Sequence, residues 1–423
     1  MKEWEDLSLD ELDSFIGLRL LMGIDRKPSV RDYWSTSRLR FTPIYSTTMT
    51  RDRFVAITES LHFEDNANLS ETDKVWKLRS VIDSLNHQCK TVYHPQRDIT
   101  VDESLWAFRG NLGWVQYNPA KRARFGFKMY KLSASTGLAS GYVSAFKVYT
   151  GRDGIDRRTP VSQKAVEDLM EQAGLFGLGY TLHIDNWYSS PDLFHYLQAR
   201  RTNAVGTADM RRKWMPKQAD MSLGKERGST ARRSTATGML CQQWVDKKVV
   251  TILSTVHTSK MRHTTNRRGK EVFKPEAVID YNKGMKGVDL SDQLAQSYPL
   301  SRRSPRWYKK LFFYLVDMAV VNAFAIYKVL QGKVSTQKSF RLALIDELLD
   351  TGGCRAPTPP TQADLPVPPF GRLTHPVDKI PNGKRRDCYQ CKKDSNTRKA
   401  TRSMCIQCKV NLCTYECFQK FHS

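Results

Sequence analysis

The hydrophobic repeat of this 423-residue chain changes near Asp98 from about 3.6 residues, the helical period, to 2 residues, the period of a strand. Before this point, Ser8 and Glu11 form a capping box at the start of a helical pattern. After it, a run of three strands precedes alternating helices and strands, which is typical of a mixed α/β fold around a central sheet. The predicted strands are 99–102, 127–132, 141–149, 180–185 and 203–207, and the predicted helices are 161–173 and 191–200.

Six of the nine cysteines lie in the last 36 residues. Clustered cysteine pairs outside a small secreted domain indicate a metal site rather than a disulfide scaffold. Two CxxC pairs separated by 13 residues suit zinc, which takes four sulfur or nitrogen ligands in a tetrahedron. Seven candidate ligands exceed one site and are one short of two closed sites, so one or two zinc ions are both compatible. The candidates are Cys388, Cys391, Cys405, Cys408, Cys413, Cys417 and His422.

The charge balance concerns the partners of the chain more than its fold. Lys and Arg number 67 against 43 Asp and Glu, which gives a formal net charge of +24. Such an excess predicts binding to a nucleic acid, although a basic protein that is merely soluble fits the same number. The stretch 205–275 is especially basic, with 16 Lys and Arg and 5 Asp and Glu. An acidic N-terminal region and interrupted apolar runs favour an intracellular protein without a membrane partner.

Three aspartates stand at the ends of predicted elements. Asp102 closes one predicted strand, Asp185 closes another, and Asp289 lies at the start of an amphipathic helix. Carboxylates brought together by two strands and a helix can hold a pair of divalent cations for phosphate chemistry. An aspartate at a strand end is more often a solvated turn residue, so the pattern alone leaves both interpretations open.

Four segments resemble, in the same order along the chain, the motifs of the piggyBac family of transposases. Residues 101–110 resemble the first catalytic motif, 148–151 are similar to the VYTG segment, and 184–190 resemble the second motif. Residues 281–293 resemble the third motif, in which YN is followed by GVD and DQ. The four matches span residues 101–293, which is more than half of residues 1–350.

The resemblance implies a ribonuclease-H-like mixed-sheet catalytic core with an inserted, mainly β domain. It implies that Asp102, Asp185 and Asp289 hold two Mg²⁺ or Mn²⁺ ions, with Asp292 as a supporting acid. The implied activity is phosphodiester hydrolysis at transposon ends, hairpin formation and strand transfer into TTAA targets. We accordingly expect a nuclear homodimer that binds double-stranded DNA and has no small-molecule substrate. Members of the family typically have a long N-terminal extension, and this sequence begins close to the helical segment that would follow it.

These expectations divide the chain into consecutive segments. They are a helical dimerisation or DNA-binding segment at 1–97, the first part of the core at 98–204, a basic insertion domain at 205–275, the last part of the core at 276–298, a helical DNA-binding or dimerisation segment at 299–352, a proline-rich linker at 353–387 and a cysteine-rich zinc domain at 388–423.

Two clusters of basic residues are candidates for DNA contact. Lys121 and Arg122 lie on a predicted turn near the first motif, where a solvated loop is equally compatible. The second cluster surrounds Trp307, and basic side chains around an aromatic residue at a helix start suit contact with the DNA backbone. Its members are Arg302, Arg303, Arg306 and Lys309.

Three functions are compatible with these features. The first is a DDD-type transposase, and the second is a domesticated descendant that binds DNA or chromatin without transposition. The third is a scaffold whose zinc module binds other proteins. All three motif aspartates are present, which favours the first function over the second. The third does not explain the basic insertion or the acidic motifs.

Overall fold

A computed structural model describes residues 4–119, 124–151, 159–265, 269, 271–332, 334–350, 377–380, 384–405 and 408–422. The chain divides into two units, Met1–Gly353 and Cys354–Ser423. The helices described in the larger unit are α1 Leu9–Ile24, α2 Pro43–Thr48, α3 Arg51–Ser60, α4 Arg79–Val92, α5 Val161–Ala173, α6 Pro191–Ala199, α7 Glu276–Gly284, α8 Gly287–Ser297, α9 Trp307–Gln331 and α10 Gln337–Leu349. Its described strands are β1 Asp98–Ala107, β2 Gln116–Tyr117, β3 Phe125–Ala134, β4 Val143–Val148, β5 Thr181–Ile184, β6 Asn203–Thr207, β7 Thr230–Ser234, β8 Leu240–Val245, β9 Val249–Ser254, β10 Met261–Thr265 and β11 Glu271–Pro275.

The core sheet has a mixed topology. Strands β1, β3 and β4 pair antiparallel, and β5 and β6 continue the sheet parallel to β1. Helix α5 connects β4 to β5, which are not neighbours in the sheet. Helix α6 is the crossover connection that the parallel pair of β5 and β6 needs. Apolar side chains of both helices pack in one buried cluster with those of the sheet. The mixed α/β fold with a ribonuclease-H-like core is therefore confirmed.

The basic stretch 205–275 is mainly β, as predicted, but much of it extends the central sheet. Strand β9 pairs antiparallel with β6, and β8 and β7 follow in order, so that nine described strands form one sheet. Strand β6 itself runs across the predicted boundary at residue 204. A hairpin of β10 and β11 then leads directly into α7.

Local sequence determines several helix boundaries. The Ser8 side chain accepts a hydrogen bond from the backbone N–H of Glu11, as the capping pattern predicted. Helix α6 begins at Pro191, where the missing N–H would have no partner within the helix, and Ser190 caps it. Helix α5 ends at Gly174, whose φ of +68° is readily adopted by glycine.

Helix α9 is the most apolar helix described. By length and composition it could cross a membrane, but 56% of its most apolar window is buried inside the fold. Its three buried charged or amide residues have partners. Asp317 pairs with the buried Arg341 of α10, Asn322 bonds the backbone of Val143, and Lys309 donates to the carbonyl oxygens of Thr58 and Glu59. These contacts are those of a core helix in a folded domain.

Buried asparagines close the free edge of β4. Asn322 accepts from the N–H and donates to the C=O of Val143, and Asn86 does the same at Phe146. Each amide thus supplies the donor and acceptor that a neighbouring strand would supply. The edge is covered and not available for pairing with another chain.

The smaller unit contains short elements. Strand β12 Val377–Lys379 pairs with β15 Ser403–Cys405, and β13 Arg386–Asp387 pairs with β14 Ala400–Thr401. Its described helices are α11 Tyr389–Ser395 and α12 Tyr415–His422. Most of the predicted proline-rich linker lies outside the described residues.

Candidate metal centres

Asp102 and Asp185 lie side by side on neighbouring parallel strands. The ladder between β1 and β5 ends at the pair Val101 and Ile184, so the next residue on each strand is one of the two aspartates. Adjacent strands are about 4.8 Å apart, and residues in register point to the same face. The structure corrects one detail: Asp102 does not close its strand, because antiparallel pairing with β3 extends β1 to Ala107.

Asp289 reaches this site because α8 packs directly on the sheet. A Cβ added at Gly287 would lie 2.6 Å from the carbonyl oxygen of Ala134 and 2.7 Å from Cγ2 of Thr100. Thr100 and Asp102 are two positions apart on β1 and share a face. Asp289 is in the first turn of α8, where the partial positive charge of a helix N-terminus favours an acidic side chain.

Gly287→Ala is expected to reduce cleavage of DNA by roughly 100-fold, because a displacement of about 1 Å at a reacting centre has an effect of that size. The added methyl group must push α8, and with it Asp289, away from β1. The measurement is the cleavage rate at saturating divalent metal. Gly113→Ala is the matched control, since a Cβ there meets nothing within 4 Å. Equal rates for the two variants would show that the close packing of α8 does not position the site.

Burial and neighbouring charges raise the pKa values of two of the three aspartates. Burial raises the pKa of Asp102 to about 7, helped by the charges of Asp185, Glu103 and Asp289 and opposed by a hydrogen bond from the Glu103 N–H. Burial also raises the pKa of Asp185, against a hydrogen bond from the Trp187 N–H. Among the described residues, the three carboxylates do not form a group whose oxygen atoms all lie within 4.8 Å of one another. Carboxylate oxygens that repel one another fit a hard divalent cation.

Arg212 belongs to this site and was missed by the sequence analysis. Its guanidinium donates to the carbonyl oxygens of Asn186, at 2.9 Å, and Trp187, at 2.7 Å. These residues directly follow Asp185, and the positive charge of Arg212 opposes the rise in the pKa of that carboxyl. A basic run immediately after β6 was the signal available in the sequence.

Asp292 has different partners from those predicted. Its Oδ1 lies 2.6 Å from Nζ of the fully buried Lys131 and accepts from the Ser104 hydroxyl at 2.8 Å. The Ser104 hydroxyl also contacts the hydroxyl of Tyr314, at 3.2 Å. Burial alone would lower the pKa of Lys131, but Asp292 and Tyr314 raise it. Since Lys131 is the cross-strand neighbour of Asp102, this network fixes α8 beneath the site, and Asp292 acts as a positioning residue.

Lys131→Met is expected to lower the free energy of unfolding by about 3 kcal/mol, because it leaves a largely buried carboxylate without its cation. Urea unfolding of the full chain measures this change. The double variant Lys131→Met, Asp292→Leu is expected to recover most of the stability, since apolar residues often replace a buried ion pair without loss. A single variant as stable as the wild type would show that the pair does not hold α8.

The basic residues around Trp307 divide into two kinds. Lys309 is buried, and its Nζ donates to the carbonyl oxygens of Thr58 and Glu59 at the end of α3. Arg302 donates to the carbonyl oxygen of Lys27. These internal contacts do not suit DNA binding. Arg303 and Arg306 are exposed, although Arg306 also donates to the Glu59 carbonyl oxygen. Lys121 and Arg122 lie outside the described residues.

Four cysteines of the smaller unit converge. The sulfur atoms of Cys388, Cys391, Cys413 and Cys417 all lie within 4.8 Å of one another. Cys391 is 3.5 Å from both Cys413 and Cys417, which are 3.7 Å apart. Zinc–sulfur bonds of about 2.3 Å in a tetrahedron place the sulfurs about 3.8 Å apart, so this group fits one zinc ion.

The two CxxC pairs do not share this site. The first pair joins Cys413 and Cys417, whereas Cys405 and Cys408 form a separate pair in which the Cys408 N–H donates to the Cys405 sulfur at 3.4 Å. The His422 side chain is outside the described part of the chain. Burial alone would raise the pKa of Cys388, but hydrogen bonds from the backbone N–H groups of Cys391 and Cys413 help to lower it to about 7. The pKa values of two neighbouring thiols are raised instead, that of Cys391 first by side-chain hydrogen bonds from Cys413 and Cys417 and that of Cys413 first by burial.

Two family models match the chain. One, described as Transposase IS4 (DDE_Tnp_1_7), matches residues 1–324. The other, described as a DDE_Tnp_1-like zinc finger, matches residues 371–423. The three aspartates lie within the first match, and the six clustered cysteines lie within the second.

Individual proteins and one solved structure agree with these matches. Human PiggyBac transposable element-derived protein 3 is 28% identical over 436 residues, covering 99% of this chain and 70% of that protein. Human PiggyBac transposable element-derived protein 2 is 27% identical over 334 residues, covering 76% of this chain and 56% of that protein. A cryo-EM structure of a piggyBac transposase synaptic complex with hairpin DNA has a TM-score of 0.72 at 24% identity, covering 98% of this chain and 88% of that one. At this identity, the structural match establishes the fold.

Proposed function

Because this chain belongs to the piggyBac family of transposases, we propose that it cleaves DNA at the ends of a transposable element and joins those ends to TTAA targets. The observation that carries the proposal is the convergence of three acids at one place on the sheet. Asp102 and Asp185 are neighbours across parallel strands, and Asp289 begins the helix packed against them. The basic character of the chain supplies the charge needed to hold a DNA backbone over these acids.

The residues around the acids orient them for this chemistry. Asp102, Asp185 and Asp289 would hold two Mg²⁺ or Mn²⁺ ions, which when bound stabilise charge on the phosphate and favour deprotonation of the attacking hydroxyl. Backbone N–H groups of Glu103 and Trp187 fix the first two carboxylates. Arg212 holds the turn after Asp185, and the pair of Lys131 and Asp292 holds α8. A site positioned in this way needs no covalent bond between protein and DNA.

The proposal also concerns the binding partners of this chain and the cellular compartment in which it works. The structural relative is a transposase in a synaptic complex with hairpin DNA, which supports double-stranded DNA as the partner of this chain. We propose that the chain works as a homodimer in the nucleus and that Cys388, Cys391, Cys413 and Cys417 bind zinc. Arg303 is an exposed member of the Trp307 cluster, and we propose it as a contact for a phosphate.

The test is a nicking assay on DNA that carries the inverted repeats flanking the gene. Wild-type protein is expected to nick the repeat ends in Mg²⁺ or Mn²⁺ and to be inactive after chelation of the metal. A duplex of equal length and scrambled sequence serves as the control substrate. Absence of cleavage under every metal condition, by protein that still binds the repeats, would contradict the proposal.

That contradictory outcome corresponds to a second function. The two human relatives are named as transposable element-derived proteins, which favours considering a DNA-binding or chromatin role without transposition. Binding to the repeats that is independent of the three aspartates would support that role.

A further inference from the structure

The loop after β6 presents an exposed tryptophan. Trp214 has 68% of its surface exposed, and its φ of +66° places it in the left-handed region. A bulky side chain rarely adopts this backbone conformation, so the surrounding structure must impose it. Strained residues of this kind are concentrated at functional sites, which makes the loop a candidate binding element.

This loop is fastened beside the aspartate site. Asp209 pairs with Arg211 at 2.6 Å, and Arg212 donates to the carbonyl oxygens of Asn186 and Trp187, directly after Asp185. Trp214 follows Arg212 by two residues, so their Cα atoms are at most about 7 Å apart. The loop that carries Trp214 is therefore anchored to the turn that follows Asp185.

A cavity of about 460 Å³ opens next to the ring. Its walls include Trp214, Met215, Met239 and Leu253, and His195 and Asp192 add polar groups. Pockets for small organic groups usually measure roughly 300–1,000 Å³ and combine apolar walls with a few polar groups. The cavity can accept a planar aromatic ring and offers hydrogen-bonding groups to its edge.

The charge around the cavity indicates an anionic occupant. Lys213 directly precedes the tryptophan, and Arg233 lies on the cavity wall together with one acid, Asp192. Arg211 and Arg212 are engaged by Asp209 and by the carbonyl oxygens of Asn186 and Trp187. The Lys213 ammonium is 4.7 Å from the centroid of the Trp214 ring. Cations beside an exposed aromatic ring are typical of proteins that bind unpaired nucleotides, because the ring stacks on a base and the cations meet the phosphates. A base pair inside a duplex is stacked on both faces and has no free face for such a contact.

We propose that Trp214 stacks on an unpaired DNA base beside the cleaved phosphate and that the adjacent cavity receives this base. The proposal rests on the proposed function, because unpaired bases at the site arise from the hairpin formation that belongs to that function. Trp214 lies outside the four motifs. As a stacking residue it adds a contact with a DNA base to the metal binding proposed for the three acids.

The experiment compares two DNA probes by fluorescence anisotropy at one fixed salt concentration. One probe is a DNA hairpin with unpaired bases at its tip, and the other is a blunt duplex of the same stem. Trp214→Ala is expected to weaken hairpin binding about tenfold, within the range of base–aromatic stacking, and to leave duplex binding unchanged. Trp214→Phe is expected to retain most of the affinity, because it keeps an aromatic face. Trp4→Ala, at a tryptophan that is 50% exposed, is the matched control.

Two outcomes would overturn the inference. Hairpin binding by Trp214→Ala equal to that of the wild type would exclude stacking, and equal losses on both probes would assign Trp214 to the duplex backbone. Circular dichroism and unchanged duplex binding verify that the variant is folded. Metal-dependent cleavage by the wild type is measured on the same preparations. A failed stacking test together with intact cleavage therefore rejects only the role of Trp214, whereas a loss of cleavage rejects the proposed function.

Discussion

Asp185→Asn is expected to reduce metal-dependent DNA cleavage by roughly a thousandfold or more, because the stabilisation of transition-state charge by a bound metal ion amounts to several kcal/mol. The neutral amide keeps the shape of the side chain and one of its oxygens but removes the charge that attracts the cation. Asp102→Asn should have an effect of similar size, since Asp102 is its neighbour across the strands. DNA binding should persist in both variants, because the positive charge of the chain is unchanged.

The control for this prediction is Asp220→Asn. Asp220 is an exposed residue of the basic stretch 205–275 and is not one of the three acids of the site. Its substitution is expected to leave the cleavage rate unchanged. Cleavage by Asp185→Asn at a rate near that of the wild type would reject the metal assignment, provided that the nuclease activity copurifies with the protein.

Removal of zinc by a strong chelator is expected to unfold the smaller unit completely. Zinc contributes roughly 10–16 kcal/mol of apparent binding free energy to small structural sites. This unit has few buried apolar residues to replace that contribution: Ile380 and Leu412 are the buried apolar side chains described there besides its cysteines. Limited proteolysis of the full chain should then cut within 388–422 and leave the larger unit resistant.

Cysteine variants separate the zinc effect from a general effect of the chelator. Cys413→Ser should reproduce the protease sensitivity without chelator, because it removes one of four ligands. Cys241→Ala is the control, since Cys241 is buried in the core of the larger unit. Unchanged circular dichroism and protease resistance after complete removal of zinc would refute the zinc site.

Much of the core could be predicted because its signals are local. Helix α5 and strand β6 have the predicted bounds, and α6 begins at the predicted Pro191. Alternation of apolar residues identifies a strand wherever one face is buried, and proline identifies a helix start. The motif resemblance located the three aspartates, whereas spacing alone could not distinguish them from turn residues.

The remaining features depend on contacts between distant parts of the chain. No local pattern shows that Lys131 is buried against Asp292, 161 residues later, or that Lys309 bonds the end of α3. In the sequence, Lys309 resembles any basic residue at the start of a helix. The insertion was predicted as a separate domain because its composition differs, but the pairing of β9 with β6 joins it to the core sheet.

The sequence also left open which of the cysteines share one metal site. Sequence spacing makes the two CxxC pairs look like partners, but the fold brings Cys388 and Cys391 to Cys413 and Cys417. The short strands β14 and β15 lie between Cys391 and Cys413, and the chain returns after them to the first pair of cysteines. Such interleaving cannot be read from ligand spacing.

The most direct test of the central claim is the cleavage rate of Asp185→Cys in Mg²⁺ and in Mn²⁺. A thiolate is a poor ligand for Mg²⁺ and a better one for the softer Mn²⁺, so activity depends on the metal only if residue 185 contacts it. We predict that the variant is inactive in Mg²⁺ and regains cleavage in Mn²⁺, while the wild type is active in both. Cleavage by the variant that is the same in the two metals would contradict the assignment of Asp185 as a metal ligand.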